Sequence, residues 1–335
     1  MADHHKNSHR LAVAPMMDWT DRPCRVFHRM LAPHAMLYTE MVTAEAIIHG
    51  DQDRLLKSDH AAGDAVTLQL GGSDPEKLAR AVTIARNYDY AEFNLNVGCP
   101  SDRVKLGSFG ACLMAEPELV RDCMIAMKEA AQDNPVTVKC RIGIDDMDPE
   151  QGLDRFVDTV ADAGVSHFII HARKAWLNGL SPKENRTIPP LDYDRVMRLQ
   201  SRRNDLDISI NGGITEIDHA AEFAHQFYGV MIGRAAYQTP FVLAQISAKI
   251  YDHPCADRMK IAMQMADYAE GWTENGGKLI AVTRHMLGLM NGLPGAKSWR
   301  RSLSEDARDP AATADVIRQA TARLQDTINA RNLAA

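Results

Sequence analysis

EFNLNVGCPS, residues 92–101, is a short apolar stretch that stops abruptly in a loop of glycine, cysteine and proline. Residues 92–96 predict a buried strand. Gly98 permits a tight backbone turn and Pro100 fixes φ, so we expect the thiol of Cys99 on a stiff loop just after a strand end. In α/β folds this is where ligands and reacting groups lie. The alternative is a cysteine that packs as a small apolar residue.

Seven further apolar runs accompany this one, each separated from the next by a segment with helical character, such as the helix that Asp74 and Pro75 begin. The runs are mostly continuous in apolar character, as in parallel strands buried on both faces. Eight such units in about 230 residues predict a TIM (β/α)8 barrel. An open doubly wound sheet is the alternative, but LAVAPMMDWT (11–20) lacks the GxGxxG turn it needs. The eight runs are LAVA (11–14), AMLY (35–38), VTLQL (66–70), EFNLN (92–96), VTVKCR (136–141), HFIIH (167–171), ISIN (208–211) and GVMIG (229–233).

Past about residue 250 the strand signal disappears and apolar residues recur at helical spacing. We predict a barrel over residues 11–250 and a small C-terminal helical-bundle domain over 255–335. Residues 1–10 are expected to be a disordered tail, although its histidines (His4, His5 and His9) could chelate a metal. The predicted C-terminal helices cover 257–275, 278–290, 296–305 and 310–331.

The composition limits the possible environments and partners. The 335 residues carry a net charge of −6, so binding of nucleic acid would require a local basic surface. No stretch is long and apolar enough to cross a membrane, and the polar N-terminus is not a signal peptide. Six scattered cysteines without a CxxC pair argue against a zinc site and a disulfide framework. We expect a monomeric cytoplasmic protein without a structural metal.

Glycines follow the seventh and eighth predicted strands, where TIM barrels frequently bind phosphate. Asn211 precedes Gly212 and Gly213, and Gly233 precedes Arg234. Glycine lets backbone N–H groups approach a phosphate closely, and arginine adds a charged fork. The ligand could be a phosphorylated metabolite or the phosphate of a flavin. Ordinary glycines of strand-to-helix turns are the alternative.

Polar residues near other strand ends favour a flavin. Lys139 lies inside an apolar strand, which is costly unless a negative group meets it. The reduced ring of flavin mononucleotide (FMN) carries such charge. Gln69 can both donate to and accept from the uracil-like edge of that ring. His171 could meet ring or phosphate oxygens. Taken singly, Gln69 and His171 could equally be satisfied polar residues of a core.

Long segments of the chain resemble the tRNA-dihydrouridine synthases, and two of them, 171–186 and 284–305, resemble the A subgroup in particular. The resemblance covers roughly residues 10–305. The segments are APMMDWTD (14–21), LYTEMVTAEAI (37–47), LQLGGSDP (68–75), NLNVGCPSDRVKLGSFGACLM (94–114), VTVKCRIG (136–143), HARKAWLNGLSPKENRTIPPLDY (171–193), INGGI (210–214), GVMIGRAAYQTPF (229–241) and RHMLGLMNGLPGAKSWRRSLSE (284–305).

The resemblance implies an FMN-containing barrel whose C-terminal domain grips tRNA, with NADPH as the electron source. The implied reaction reduces the C5–C6 double bond of a D-loop uridine, at position 20 or its neighbour 20a. Cys99 would donate the proton to C5 while hydride from the flavin reaches C6. Asn96 would lie beside the uridine. The implied FMN contacts are Pro15, Met16, Met17, Gln69, Lys139 and His171 for the ring, and Asn211, Gly212, Gly213, Gly233 and Arg234 for the phosphate.

A uridine within folded tRNA must leave its stack to reach a barrel mouth, so the protein needs a grip on the backbone. We predict that two basic groups supply it: Lys183 with Arg186 after the sixth strand, and Lys297, Arg300 and Arg301 in the helical domain. Solvated helix faces are the alternative. The loop after Cys99, which contains Gly107 and Gly110, is a predicted mobile lid.

Two other functions remain open at this level. An FMN barrel that reduces a small molecule, such as a dihydroorotate or enoate reductase, would fit the phosphate turns and Lys139 equally well. A non-enzymatic RNA-binding module would explain the basic groups but not the lysine, glutamine and cysteine at strand ends. The basic helical domain favours a reductase that acts on RNA, because a small-molecule reductase does not need it.

Overall fold

The computed structural model of the chain describes residues 7–59, 64–101 and 107–333. It divides into two compact units. The first contains the residues up to Asp18 and Ala35–Gly233, and the second contains Trp19–His34 and the residues from Arg234 onward. The predicted boundary near residues 250–255 is therefore wrong, since the second unit begins earlier and includes a helix from near the N-terminus.

The first unit is a closed barrel of parallel strands. Following the hydrogen bonds around the sheet gives the order β1, β2, β4, β5, β6, β7, β8 and β9, after which β9 pairs with β1 and closes the ring. The two-residue strand β3 pairs beside β4 and is additional to the predicted runs. The predicted TIM barrel is confirmed. The strands are β1 Leu11–Val13, β2 Met36–Tyr38, β3 Val42–Thr43, β4 Val66–Gly71, β5 Glu92–Val97, β6 Val136–Arg141, β7 His167–His171, β8 Asp207–Asn211 and β9 Gly229–Ile232.

Helices connect these strands, and local signals in the sequence explain where several of them begin. The side chain of Asp74 accepts hydrogen bonds from Glu76 N and Lys77 N, and proline follows at the first helical position. Asp148 caps another helix in the same way. The helix that begins at Ile217 differs, because it has no side-chain cap. The helices of the first unit are Ala44–His49, Gln52–Leu56, Pro75–Ala85, Pro117–Ala131, Pro149–Ala161, Tyr193–Arg202 and Ile217–Gln226.

The barrel interior is polar on one side. In β4, β5 and β6, alternate residues are polar and hydrogen-bond across the strands, whereas the residues between them, such as Leu68, Leu95 and Val138, are buried and apolar. Residues two apart on a strand share a face, so this polar row faces the interior. Around the rest of the barrel the interior is filled by a cluster that includes Met36 and Met231.

The second unit is helical. Asp21 caps its first helix by accepting a hydrogen bond from Cys24 N, and the same carboxylate hydrogen-bonds Arg284 at 2.5 Å. Trp19 stacks on Tyr237 with ring centroids 4.2 Å apart. These contacts explain why residues 19–34 belong with the C-terminal helices. The helices are Arg22–Leu31, Arg234–Gln238, Pro240–Tyr251, Arg258–Glu274, Leu279–Met286, Ala296–Glu305 and Asp315–Leu333.

The predicted disordered tail is wrong for the residues that the structure describes. Ser8 and His9 are buried, and the ring of His9 lies 3.0 Å from Glu92 Oε2 at the start of β5. A buried partner in the barrel gives this segment a fixed place, which the polar character of the tail did not reveal. Residues 1–6, including His4 and His5, lie outside the described residues. Over the described ranges, no helix combines the length and apolar character needed to cross a membrane.

Candidate active site

Cys99 lies on a loop that the side chain of Asn96 holds against the end of β5. Asn96 Oδ1 accepts hydrogen bonds from the backbone N–H of Gly98, at 3.1 Å, and of Cys99, at 2.9 Å. The thiol is half-buried and lies 3.5 Å from Ser101 Oγ. One amide oxygen that accepts from two backbone donors makes a rigid turn, so the thiol is held in one position at the carboxyl end of the strand.

Arg141 secures the same loop and was missed by the sequence reasoning. Its Nε donates to Gly98 O at 2.8 Å, and its Nη1 donates to Lys174 O and Asn185 O, at 2.9 and 3.0 Å. Burial lowers the pKa of Arg141 to about 10. Arg141 thus ties the cysteine loop to the segment after β7. The sequence could have indicated Arg141, because it is a second basic residue, two positions after Lys139, on a largely apolar strand.

Lys139 and Asn211 meet across the barrel interior. Lys139 Nζ donates to Asn211 Oδ1 at 3.1 Å, and Asn211 Nδ2 donates to Met231 O at 2.8 Å. Burial, reinforced by the charge of Arg141, lowers the pKa of Lys139 to about 8. A neutral amide oxygen compensates an ammonium group only in part, so a negative group beside Lys139 would raise this pKa again.

The turn after β8 requires glycine. Gly212 and Gly213 have φ angles of +123° and +65°. A Cβ added at Gly212 would lie 2.7 Å from His171 Cδ2, and one added at Gly213 would lie 2.6 Å from Leu191 Cδ1. The fold alone therefore accounts for both glycines, whether or not a phosphate binds there.

Gly233 differs, because the fold does not require it. A Cβ at this position would meet only Ala14 Cβ, at 3.9 Å, which is an ordinary contact. Open space beside a backbone at the carboxyl end of β9 is what a ligand that approaches the main chain would need. Arg234, the next residue, begins the second unit.

Gln69 and Asn94 are joined within the barrel. Gln69 Nε2 donates to Asn94 Oδ1, and Asn96 Nδ2 donates to Gln69 Oε1, both at 2.8 Å. Gln69 is therefore connected to the residue that holds the Cys99 loop. Each amide group keeps one further N–H and one further lone pair, so Gln69 can still contact a ligand.

The remaining predicted ring contacts follow strand ends of the same barrel. Pro15 and Met16 are half-buried after β1, and the side chain of Met17 is 53% exposed. An exposed methionine beside a barrel mouth is available for contact with a bound ring. His171 ends β7, opposite Asn211 in the strand register.

The predicted tRNA-binding residues are all exposed. Lys183 precedes a short helical turn in the loop after β7, and Arg186 is the last residue of that turn. In the second unit, Arg300 Nη1 donates to Asn291 Oδ1 at 2.8 Å and Arg301 pairs with Glu305 at 3.0 Å, whereas Lys297 lies one turn earlier on the same helix. The central part of the predicted lid, residues 102–106, lies outside the described residues.

A separate cavity of about 250 Å³ lies at the opposite end of the strands, where His9, Glu92 and His167 line it. Each of these side chains has one atom that could bind a metal ion, and these three atoms lie within 4.8 Å of one another. The same groups already bond within the protein, His9 with Glu92 and His167 with Ser209 Oγ at 2.8 Å. The cluster is thus satisfied by protein contacts. His9, which the sequence offered as a possible metal ligand, lines this cavity, whereas the predicted catalytic, FMN-binding and tRNA-binding residues do not.

The chain is similar in sequence to a family of known proteins. The sequence model of the family described as dihydrouridine synthase (Dus) matches residues 12–326. A protein from Vibrio vulnificus named tRNA-dihydrouridine(20/20a) synthase is 51% identical over 96% of this chain and 99% of its own length. Proteins of the same name from Yersinia pestis and Xanthomonas campestris are 52% and 50% identical, over 93% and 98% of this chain and 91% and 97% of their own lengths.

A structural neighbour shows the fold independently of sequence. The crystal structure of TcOYE with pHBA has a TM-score of 0.50, at 9% identity, over 74% of this chain and 90% of that chain. Such low identity supports the barrel alone. The family match covers nearly the whole chain, and the matched range includes the Cys99 loop and the turns after β8 and β9. This chain therefore belongs to the dihydrouridine synthase family.

Proposed function

We propose that this protein reduces the C5–C6 double bond of a uridine at position 20 or 20a in the D-loop of tRNA, giving 5,6-dihydrouridine, with FMN as its cofactor. The observation that carries the proposal is that Asn96 holds the Cys99 loop at the same end of the barrel as Lys139 and the turn after β8. A proton donor and a site for an anionic ring thus share one barrel mouth. The relatives' names supply the class of substrate.

The residues present fit FMN. Lys139, whose pKa burial lowers to about 8, has a neutral amide as its partner and would gain from a negatively charged ring. Gln69 would meet the polar edge of the ring, with Pro15, Met16, Met17 and His171 around it. The space beside Gly233 suits a phosphate that binds backbone N–H groups. Asn211, Gly212, Gly213 and Arg234 would complete that phosphate site.

When bound, reduced FMN supplies a hydride, which C6 of the uracil receives. Cys99 donates the proton that C5 needs, and its loop keeps the thiol in place for this step. Asn96, besides holding that loop, would contact the uracil. The protein thereby positions the base and supplies a proton, which typically contributes about 10²- to 10⁴-fold to a rate.

The other partners follow from the same proposal. NADPH would reduce the flavin between turnovers. Lys183 and Arg186, with Lys297, Arg300 and Arg301, would bind tRNA phosphates, since all five are exposed. We further propose that the protein is cytoplasmic and monomeric. Size-exclusion chromatography with light scattering would test whether it is a monomer.

Purified protein tests the proposal directly. We expect a yellow protein with a flavin absorption band, bleached by NADPH and restored by tRNA that lacks dihydrouridine. Restoration by free uridine or by an enoate, but not by tRNA, would indicate a small-molecule reductase. A protein that stays colourless after addition of FMN and retains none would contradict the proposal.

A further inference from the structure

A continuous line of side-chain hydrogen bonds begins at the Cys99 loop and enters the barrel interior. Cys99 N donates to Asn96 Oδ1 at 2.9 Å, and Asn96 Nδ2 donates to Gln69 Oε1 at 2.8 Å. Gln69 Nε2 then donates to Asn94 Oδ1 at 2.8 Å. Each group donates to the next in the same sense, which gives the line a direction.

The line continues to the opposite end of β5. Asn94 Nδ2 donates to Thr137 Oγ1 at 2.8 Å, and Thr137 Oγ1 donates to Glu92 Oε1 at 2.9 Å. Asn96 lies four residues beyond Glu92 on this strand, a separation of roughly 13 Å. All five side chains of the line are at most 8% exposed. The Glu92 carboxylate is therefore linked to the cysteine loop through the protein interior.

The two ends of this line fix its direction. The backbone N–H of Cys99 can only donate, and Glu92 Oε1 at the other end accepts from Thr137 Oγ1. Each amide between them carries its oxygen and its NH2 group on opposite branches, so the orientation of one amide dictates that of the next. A flip of any one amide would set two donors or two acceptors against each other, and a buried polar group without a partner is costly.

Glu92 itself is held by groups outside the line. Its Oε2 meets His9 Nε2 at 3.0 Å, and its Oε1 also accepts from Tyr38 Oη and Thr67 Oγ1, each at 3.2 Å. Such partners offset the cost of burying a carboxyl group. The N-terminal segment, through His9, thus helps to keep Glu92 in place.

We infer that Glu92 is a positioning residue, whose carboxylate sets the orientation of the Gln69 and Asn96 amides and thereby the geometry of the Cys99 loop. The hydrogen-bond line lies wholly in the protein, and only its consequence for turnover rests on the proposed function. Glu92 touches none of the reacting groups and acts through Thr137 and Asn94.

Two threonines provide a matched test of this inference. Thr137 and Thr67 lie on the strands either side of β5, are both buried, and both donate to Glu92 Oε1. Only Thr137 also accepts from Asn94. Thr137→Val therefore cuts the line, whereas Thr67→Val removes a comparable hydrogen bond from the same oxygen and leaves the line intact. Thr137→Ser keeps the hydroxyl and should restore the wild-type behaviour.

The first measurement is hydrogen exchange over residues 92–101 in protein without FMN or tRNA. We expect the amides of Gly98 and Cys99 to exchange about tenfold faster in Thr137→Val, because their acceptor Asn96 is no longer held in one orientation. Thr67→Val and Thr137→Ser should exchange as wild type does. Equal exchange in Thr137→Val and Thr67→Val, whether changed or not, would overturn the inference.

The second measurement is oxidation of pre-reduced flavin by tRNA in the same variants, and it addresses the consequence for turnover. We expect an approximately tenfold slower rate in Thr137→Val alone, with rescue by Thr137→Ser. An unchanged rate in Thr137→Val would overturn the positioning role of Glu92. If tRNA fails to oxidise the flavin of the wild type, the proposed function fails instead, and the exchange experiment still decides whether the line orients the loop.

Discussion

Lys139 Nζ hydrogen-bonds Asn211 Oδ1 at 3.1 Å, although β6 and β8 are not adjacent strands. The bond crosses the barrel interior and brings a lysine to the residue that precedes the glycine turn. Since an amide oxygen carries no net charge, Asn211 does not neutralise the positive charge of the half-buried Lys139. A bound anion would complete this arrangement, and the pKa of Lys139 reports on it.

FMN affinity should therefore depend on pH through Lys139. In the protein without FMN, burial lowers the pKa of Lys139 to about 8, so the lysine is protonated below that pH and loses its charge above it. An anion binds the protonated form better. Affinity should consequently be full below pH 8 and fall above it, by at most about tenfold per pH unit.

Anaerobic titration of reduced FMN with protein stripped of cofactor, at a series of pH values, measures this dependence, because the reduced ring carries the negative charge that Lys139 would meet. Lys139→Met should bind FMN more weakly than wild type at neutral pH and show no break near pH 8. A wild-type affinity that rises through this range, or a break that persists in Lys139→Met, would contradict the assignment.

Cys99→Ala should slow oxidation of pre-reduced flavin by tRNA by about 10²-fold or more, because C5 of the uracil loses its proton donor. Cys255→Ala is the matched control, since this cysteine is exposed and belongs to the second unit. Reduction of the flavin by NADPH should be unaffected in both variants. Stopped-flow absorbance separates the two half-reactions, and an undiminished tRNA-dependent rate in Cys99→Ala would remove Cys99 from the mechanism.

Gly233→Ala separates ligand binding from folding at the end of β9. An added Cβ meets only Ala14 Cβ at 3.9 Å, so the melting temperature should stay within about 2 °C of wild type. FMN affinity should fall about tenfold if phosphate approaches this backbone, since a methyl group would occupy that space. Gly271→Ala, at a helical glycine with no neighbour within 4 Å, is the control. Unchanged FMN affinity in Gly233→Ala would place the phosphate elsewhere.

Charge reversal of Arg300 and Arg301 should weaken tRNA binding and make its affinity depend less on salt. The slope of log K against log salt concentration should become shallower by about 0.7–0.9 for each phosphate contact that is lost. Arg323→Glu with Arg331→Glu makes the same change of charge on the helix Asp315–Leu333 and should have less effect. Filter binding at several salt concentrations measures both slopes. Equal losses in the two double variants would mean that net charge, and not a contact, is responsible.

A substitution of Glu305 should change the tRNA affinity in the opposite direction. It pairs with Arg301 at 3.0 Å and so competes with any phosphate for the guanidinium group. Glu305→Gln should tighten tRNA binding slightly, by about twofold, because an exposed ion pair of this kind is weak. A weaker affinity in this variant would indicate that Glu305 positions Arg301 for tRNA.

The sequence was sufficient for the barrel because its signal is local and repeated. Apolar runs between helical segments predicted the strands. Gly98 and Pro100 likewise predicted the short loop around Cys99. The division into two units was not predictable in this way. Residues 19–34 belong with the C-terminal helices through contacts such as that of Asp21 with Arg284, which are far apart in sequence.

The sequence revealed some of the polar residues in the barrel interior but not others. Lys139 and Gln69 stood out as polar residues in apolar strands. Glu92 and Thr137 did not, although both lie in register with the other polar residues at a spacing of two. His9 could not be assigned, because its partner Glu92 is 83 positions away. The glycines after β8 were read as a phosphate site, yet their φ angles show that the turn itself requires them.

Dihydrouridine at positions 20 and 20a of tRNA, measured in cells that lack this protein, tests the central claim most directly. We predict that the modification is absent at one or both positions, returns when the wild-type protein is supplied, and does not return with Cys99→Ala. Full modification of both positions in the deletion strain, with no other synthase present, would contradict the account.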